Sequence, residues 1–469
     1  MTKIKFGTDG WRAIIAREYT VDNVKRVAEG TARWLQSQSA DKVVIGHDCR
    51  FGGPMFTEVT TRVLGAFNIK VNLAKGFVST PMVSLGVVKT KSDLGVVITA
   101  SHNPPSYNGY KLKSHFGGPS VPADIAAVEA LIPDQCSLET LPTLEEMFDQ
   151  GLLNYIDLED IYIQHVQENF DLATIHAANI KVAYDAMYGA GMNAMARILP
   201  DAVMLHCDDN PGFKGQAPEP IHRNLGELSA TIKNDPAIAL GIANDGDADR
   251  IGMYDQDGNF VDSHHLLLLL LLYMYQYKKL SGKVVITFSV TDKMRKMAEH
   301  FGLDVEVTKI GFKYIAEIMT REDVLVGGEE SGGLAVKGHI PERDGIWMGL
   351  LILEFMAKTG KSLQALIQDV YDIVGPFHSS RDDLHIKEEQ KLAIIETCKN
   401  DPYSTFGSYQ VQRLETVDGF KFILSDNEWV MIRPSGTEPV LRVYAQAPTP
   451  EGVRAILDAT RDTVLAVTA

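Results

Sequence analysis

Two segments of this chain carry residues whose types and spacing could do chemistry together. Thr99-Ala100-Ser101-His102-Asn103-Pro104, with Lys111 ten residues beyond the serine, offers a hydroxyl, and Asp245-Gly246-Asp247-Ala248-Asp249-Arg250 offers three carboxylates at alternate positions. A serine hydroxyl is a weak nucleophile at neutral pH, so it needs a neighbouring base or a phosphoryl group already mounted on it. A carboxylate triplet supplies what the second option requires, a divalent cation. Each segment also has a plainer explanation. Ser101 could cap a helix or close a turn, since Ser-His-Asn-Pro is a turn-forming string. Asp-Gly-Asp patterns occur in turns and in calcium loops, but an EF-hand loop needs glutamate at its twelfth position, and Gln256 stands there. Three hard oxygen donors suit Mg²⁺ instead, which keeps positions for water or a phosphoryl oxygen, and Arg250 alongside could stabilise phosphoryl charge.

Two further segments suit a sugar phosphate. Gly327-Gly328-Glu329-Glu330-Ser331-Gly332-Gly333 offers a carboxylate and a hydroxyl on flexible backbone, fit to grip vicinal hydroxyls, although acidic glycine-rich strings are also common turns. Arg433-Pro434-Ser435-Gly436-Thr437-Glu438-Pro439 combines a guanidinium, two hydroxyls and a glycine that exposes backbone N–H, which by composition is a phosphate cradle. A strand-to-helix turn capped by Ser435 is the alternative.

The elements that must position these segments read as an α/β chain. Val43-Val44-Ile45-Gly46, Val71-Asn72-Leu73-Ala74 and Gly95-Val96-Val97-Ile98-Thr99 are strand-like, with a helix over Pro54 to Phe67 between the first two. That rhythm predicts a doubly wound sheet, with Ser101 beyond the carboxyl end of a strand, where ligands of such sheets bind. It returns at Lys181 to Tyr184 with Ala239 to Ala243, and again at Lys283 to Thr287, Asp304 to Val307 and Val324 to Gly327. Gly419 to Leu424, Trp429 to Arg433 and Leu441 to Ala445 lie close together before a last helix, which predicts antiparallel pairing and an α+β module. The expected domains are residues 1–150, 151–255, 256–371 and 372–469.

At 469 residues the chain exceeds one hydrophobic core, and 45% hydrophobic with 23% charged residues is ordinary globular composition. A formal charge of -16 with no Lys/Arg run argues against a nucleic-acid partner. Cys49, Cys136, Cys207 and Cys398 form no CxxC pair, and no apolar run of signal-peptide length precedes Gly7, so a reducing, cytoplasmic location is expected. The leucines at 266–272 fall well short of the ~20 apolar residues of a membrane span. They predict a buried helix and no membrane association.

Together the segments resemble the α-D-phosphohexomutase superfamily, the phosphoglucomutases and phosphomannomutases, over the whole chain. Phe6-Gly7-Thr8-Asp9-Gly10-Trp11-Arg12 resembles the family's N-terminal signature, Thr99 to Pro104 its phosphoserine loop and Asp245 to Arg250 its metal loop. Glu329 to Gly332 resembles its sugar-recognition loop and Arg433 to Thr437 its phosphate-binding loop. The resemblance implies three α/β domains and a smaller C-terminal domain around a central cleft. It implies Ser101 carried as phosphoserine, Mg²⁺ held by its phosphoryl oxygen with Asp245, Asp247 and Asp249, and Lys111 as general acid or base beside Arg12, His102 and Arg250. Hexose phosphate would be bound by Lys313, Glu329, Ser331, Arg343, Arg433, Ser435, Gly436 and Thr437. Glucose 1,6-bisphosphate would be both intermediate and activator. Members accepting mannose tend to end the recognition loop in histidine, where this chain has Gly333, and Gly311-Phe312-Lys313 and Glu342-Arg343-Asp344-Gly345 look more like the phosphoglucomutase pattern. Glucose is therefore expected ahead of mannose, and both ahead of an amino sugar. A glucose 1,6-bisphosphate synthase would use the same residues and a phosphomannomutase the same scaffold, while the intact serine, three aspartates and Lys111 argue against a non-catalytic sugar-phosphate sensor. Ala248 replaces a common glycine, from which little change is expected, and the oligomeric state is left open between monomer and homodimer.

Overall fold

Short apolar runs broken by glycine and by amphipathic stretches fold as alternating strands and helices. The computed structural model describes residues 3–7, 10–434 and 440–466, and it separates into two compact units, residues 1–283 with 311–366 and residues 284–310 with 367–469. Thr8 and Asp9 of the N-terminal signature, and Ser435, Gly436 and Thr437 of the expected phosphate cradle, lie outside the described residues.

In the first unit a six-stranded mixed sheet has the spatial order Trp11–Ile14, Tyr107–Ser114, Leu94–Ile98, Lys42–His47, Lys70–Ala74, Leu153–Ile156. The last four strands of that order are parallel, and Tyr107–Ser114 runs antiparallel to both of its neighbours. Every residue of Leu94–Ile98 is buried, as expected of a strand covered on both faces. Helices Val21–Ser37 and Thr80–Thr90 begin at side-chain caps, Thr20 accepting from the Asn23 N–H and Ser79 from the Met82 N–H. Val43, Ile45, Val96 and Ile98 pack with Tyr19, Phe56 and Tyr110 in one core.

A second sheet in this unit has the order Phe260–Val261, Ile251–Tyr254, Ile238–Asn244, Lys181–Asp185, Val203–Leu205. Ile238–Asn244 and Ile251–Tyr254 form an antiparallel hairpin closed by the pair Asn244 and Ile251, so the aspartate triplet is its turn. The leucine run lies in helix Ser263–Leu272, all of whose residues are buried, with Asp262 as its cap. No helix among the described residues is long and apolar enough to cross a membrane. Val324–Gly328 and Leu334–Val336 form a second antiparallel pair, and the expected recognition loop is the turn between them. Helix Gly345–Thr359 follows, capped by Asp344, whose carboxylate also accepts from the Tyr162 hydroxyl at 2.9 Å and pairs with His339 at 2.9 Å.

The second unit holds a five-stranded antiparallel sheet in the order His378–His385, Val440–Ala447, Glu428–Pro434, Phe420–Ser425, Arg413–Glu415. Helices Glu388–Asn400 and Pro450–Ala466 cover it, and Ile394, Phe422, Val443 and Ile456 lie in its core. This is the α+β module expected from the closely spaced strands. Residues 284–287 pair in parallel with 305–308 in the same unit.

Candidate active site

Ser101 sits in a turn directly beyond strand Leu94–Ile98 and before Tyr107–Ser114. No helix starts there, so the capping explanation fails. Its φ is +52°, a left-handed conformation uncommon outside glycine and characteristic of strained functional positions. Two buried residues hold the turn. Arg50 donates to the carbonyls of Ser101, Asn103 (2.6 Å), Pro104 (3.0 Å) and Tyr107 (3.2 Å), and pairs with Asp48 at 3.3 Å. Asp48 accepts from the Thr99 hydroxyl at 2.5 Å, and that hydroxyl accepts from the Ser101 N–H at 2.9 Å. Burial pushes the Asp48 carboxyl up to about 6, against the pull of Arg50. Arg12 joins the same turn by donating to Asn103 Oδ1 at 2.6 Å.

The hairpin turn brings Asp245, Asp247 and Asp249 together, each fully buried, with one oxygen from each within 4.8 Å of the others. Ser101 Oγ donates to Asp245 Oδ2 at 2.7 Å. The outer oxygens are occupied by protein: Asp247 Oδ2 accepts from Thr80 (2.5 Å) and Lys111 (2.8 Å), and Asp249 Oδ2 from Lys111 (3.2 Å) and Arg343 (2.7 Å). Asp247 Oδ1 and Asp249 Oδ1 are buried with no hydrogen-bond partner. Burial, then the charges of Asp249 and Asp247, push the Asp245 carboxyl well above its ordinary value, while at Asp247 burial is outweighed by Lys111, Thr80 and Arg343 together, which hold it low. Two orphaned carboxylate oxygens and a third carboxyl short of positive charge fit a hard divalent cation such as Mg²⁺.

Gly246 lets this turn lie against the serine. A Cβ there would stand 2.7 Å from the Ser101 carbonyl oxygen and 3.1 Å from Pro218 Cγ, and a backbone carbonyl does not yield cheaply. Gly246→Ala is expected to fold, read by circular dichroism, and to lose turnover by about 10²-fold through displacement of Ser101; unchanged turnover would show that the two loops need not touch. Ala248 has φ +55°, which accounts for the usual glycine at that position and means the alanine carries a strain of roughly 1 kcal/mol. The expectation of little change rested on the side chain alone and left this backbone cost out.

His102 Nδ1 lies 3.3 Å from Ser101 Oγ. Burial, then the charges of Arg250, Arg12, Lys111 and Arg50, hold its pKa well below the ordinary value, so the ring is neutral. The Arg250 N–H donates to Asp245 Oδ1 at 3.0 Å, and its guanidinium Nε stands 4.0 Å from Asp249.

Other expected residues are placed less simply. Arg343, expected on substrate phosphate, has its guanidinium on Asp249 and 3.9 Å from Glu329, bridging the aspartate loop to the turn at 329–333. Burial pushes the Glu329 carboxyl up to about 7, partly offset by Arg343. Ser331 is half-buried in the turn at 329–333, and the Gly332 carbonyl accepts from the Ile251 N–H at 3.2 Å, tying that turn to the end of the aspartate hairpin. Lys313 is not brought to the serine and aspartates; it lines a different cavity, of about 710 Å³, with Lys3, Phe6 and Arg26. In the second unit Arg433 donates to Asp418 at 3.3 Å.

Asp48, Arg50 and Thr80 were not found from sequence, and Glu342 was read only as part of a pattern, with no role of its own. Glu342 Oε2 takes Lys113 Nζ at 2.7 Å and Ser84 Oγ at 2.9 Å. A signal existed: Lys111 and Lys113 are two apart on one strand and share a face, so two buried lysines there demand two buried acidic partners.

Four family descriptions match in order: phosphoglucomutase/phosphomannomutase alpha/beta/alpha domain I over residues 3–137, domain II over 160–258, domain III over 262–374, and the C-terminal domain over 385–463. A phosphoglucosamine mutase of Methanococcus maripaludis is 31% identical over 455 residues, covering 94% of each chain. A phosphoglucomutase/phosphomannomutase of Thermococcus kodakarensis is 28% identical, covering 97% of this chain and 96% of that one. The crystal structure of a provisionally named phosphomannomutase from Thermus thermophilus superposes with a TM-score of 0.86 at 34% identity over 99% of both chains. The chain is thus a mutase of the phosphoglucomutase/phosphomannomutase family, within the α-D-phosphohexomutase superfamily.

Proposed function

We propose that this mutase moves phosphoryl between O1 and O6 of a hexose phosphate through phosphorylated Ser101, and that its sugar is glucose. The observation that carries the reading is the Ser101 hydroxyl 2.7 Å from Asp245, in a buried carboxylate cluster with two unpartnered oxygens. Asp245, Asp247, Asp249 and an oxygen on Ser101 would hold Mg²⁺, which when bound draws charge off the phosphoryl oxygens.

The chain's own residues do the rest. The free hydroxyl oxygen of a hexose 1-phosphate forms a new bond to phosphorus as the bond to Ser101 Oγ breaks. Lys111, buried between Asp247 and Asp249, is the group placed to pass the hydroxyl proton toward Ser101 Oγ, and neutral His102 lies beside that oxygen. Arg12 and Arg250 meet phosphoryl charge. The resulting 1,6-bisphosphate returns its other phosphate to Ser101, and added glucose 1,6-bisphosphate restores enzyme that has lost its phosphate. Glu329 and Ser331 grip sugar hydroxyls, and Arg433, Ser435, Gly436 and Thr437 bind the phosphate not being transferred. Arg343 acts from its place on Asp249, holding the recognition loop against the metal loop. The absence of a spanning helix among the described residues and four free cysteines suit an enzyme of the cytoplasm.

Glucose is favoured over mannose at Gly333. A Cβ there would run into Arg343 Cδ and come within 3.3 Å of Glu329, so a histidine, as in mannose-accepting members, enters only if Arg343 moves. Gly333→His is expected to displace Arg343 from Asp249, to lower turnover of glucose 1-phosphate by about 10²-fold and to bring no gain with mannose 1-phosphate. A rise in mannose 1-phosphate turnover would overturn this assignment. Glucosamine phosphate is the second reading, supported by the relatives named phosphoglucosamine mutase and by the adjacent carboxylates Glu329 and Glu330. Product analysis with each 1-phosphate decides. The expected result is glucose 6-phosphate formed with at least about tenfold higher kcat/KM than glucosamine 6-phosphate. The reverse preference would make the amino sugar the substrate, and accumulation of bisphosphate would make the enzyme a synthase.

A further inference from the structure

In the second unit Arg433 is held by a residue outside every segment so far assigned to chemistry. It stands near the end of strand Glu428–Pro434, in direct register with Arg442 of strand Val440–Ala447. Partners in an antiparallel pair point to the same side, so two like charges face each other there. A like charge directly opposite pushes a guanidinium aside unless a carboxylate holds it. Among the described residues Arg433 forms one ion pair, with Asp418, whose Oδ2 accepts from Arg433 Nη2 at 3.3 Å. Its Nε is buried and meets no hydrogen-bond partner.

Asp418 is itself fixed. It lies in the turn between strands Arg413–Glu415 and Phe420–Ser425, and the same Oδ2 accepts from the Ile310 N–H at 2.9 Å. Ile310 packs with Phe288, Trp429, Met431 and Tyr444, so the donor that anchors the carboxylate belongs to a packed cluster. Gly419 seats the turn on the arginine. Its φ is +111°, and a Cβ there would stand 2.9 Å from the Ile432 carbonyl oxygen and 3.3 Å from Arg433 Cβ. The turn therefore meets Arg433 twice, along its stem at Gly419 and at its guanidinium through Asp418. A guanidinium is a planar fork of donors, so a carboxylate at Nη2 fixes the plane in which the other N–H groups point. Fixing it beforehand removes the cost of immobilising a long side chain when an anion arrives.

We infer that Asp418 is a positioning residue for substrate binding, holding the Arg433 guanidinium in the orientation that receives the phosphate not being transferred. The inference rests on the reading that Arg433 binds that phosphate. A phosphate at the far end of the sugar is bound alike before and during transfer, so weakening its grip raises KM and leaves kcat nearly unchanged. The test is the kinetics of the hexose 1-phosphate that product analysis selects, with glucose 1,6-bisphosphate added, in the parent, Asp418→Asn, Arg433→Gln and the double variant. Asparagine keeps an acceptor for the Ile310 N–H and removes the charge facing Arg433. Asp418→Asn is expected to raise KM about fivefold with kcat within about twofold of the parent. Arg433→Gln is expected to raise KM by at least about tenfold, and the double variant to match Arg433→Gln alone. An unchanged KM in Asp418→Asn with a lowered thermal midpoint would reduce Asp418 to a structural role and overturn the inference. So would a lower KM, which would mean that the carboxylate only competes with phosphate, or effects that multiply in the double variant. Arg433→Gln with the parent's KM would sink the reading of Arg433 and the inference with it, whereas the other failures leave that reading standing.

Discussion

Ser101→Ala is expected to abolish interconversion of hexose 1- and 6-phosphates, by at least about 10⁴-fold, while leaving the protein folded. The size follows from the role. If the hydroxyl only oriented a substrate, its loss would cost one hydrogen bond, about 1 kcal/mol or less than tenfold in rate. If it is the atom that carries the phosphoryl group, no other acceptor remains on the path. Stability should move little, because Ser101 Oγ is one donor to a carboxylate that burial and its neighbours already push toward the protonated form. Turnover within tenfold of the parent, measured with glucose 1-phosphate and added bisphosphate, would contradict the account.

Lys111→Met should damage both stability and activity. Its ammonium, fully buried, is 2.8 Å from Asp247 and 3.2 Å from Asp249, both fully buried as well. Removing one partner of a buried ion pair leaves a charge without compensation, at a cost of about 3–5 kcal/mol. Methionine fills most of the volume, so the loss is electrostatic rather than a packing defect. Chemical denaturation should show that loss, and turnover should fall by at least about 10²-fold as the proton carrier is removed. Part of the stability should return with millimolar Mg²⁺, which binds the folded carboxylates and not the unfolded chain. A change below about 1 kcal/mol with near-normal turnover would mean that Lys111 serves neither the cluster nor the proton.

The same lysine shows where sequence reading stops. The parallel strands Lys42–His47, Lys70–Ala74 and Leu94–Ile98 were legible because burial on both faces writes an unbroken apolar run. The strand before the aspartate loop was legible in the same way, and the loop itself stood out by the alternate spacing of its carboxylates. Strand Tyr107–Ser114 was not read, because Tyr-Asn-Gly-Tyr-Lys-Leu-Lys-Ser places two lysines where a core residue is expected. Their burial is intelligible only through Asp247, Asp249 and Glu342, which lie more than a hundred residues away. Arg50 was missed for a similar reason, since its partners are backbone carbonyls of a distant turn and carry no side-chain signature. Arg343 was singled out, but its contact with Asp249 depends on how two loops approach, which residue types do not encode.

The most direct test of the central claim is the mass of the peptide containing Ser101, taken from protein purified after brief exposure to glucose 1,6-bisphosphate. The account predicts one added phosphate on Ser101, lost when the labelled enzyme is mixed with excess hexose phosphate in the presence of Mg²⁺. An active enzyme whose Ser101 peptide never carries phosphate, or carries one that hexose phosphate does not remove, would contradict it.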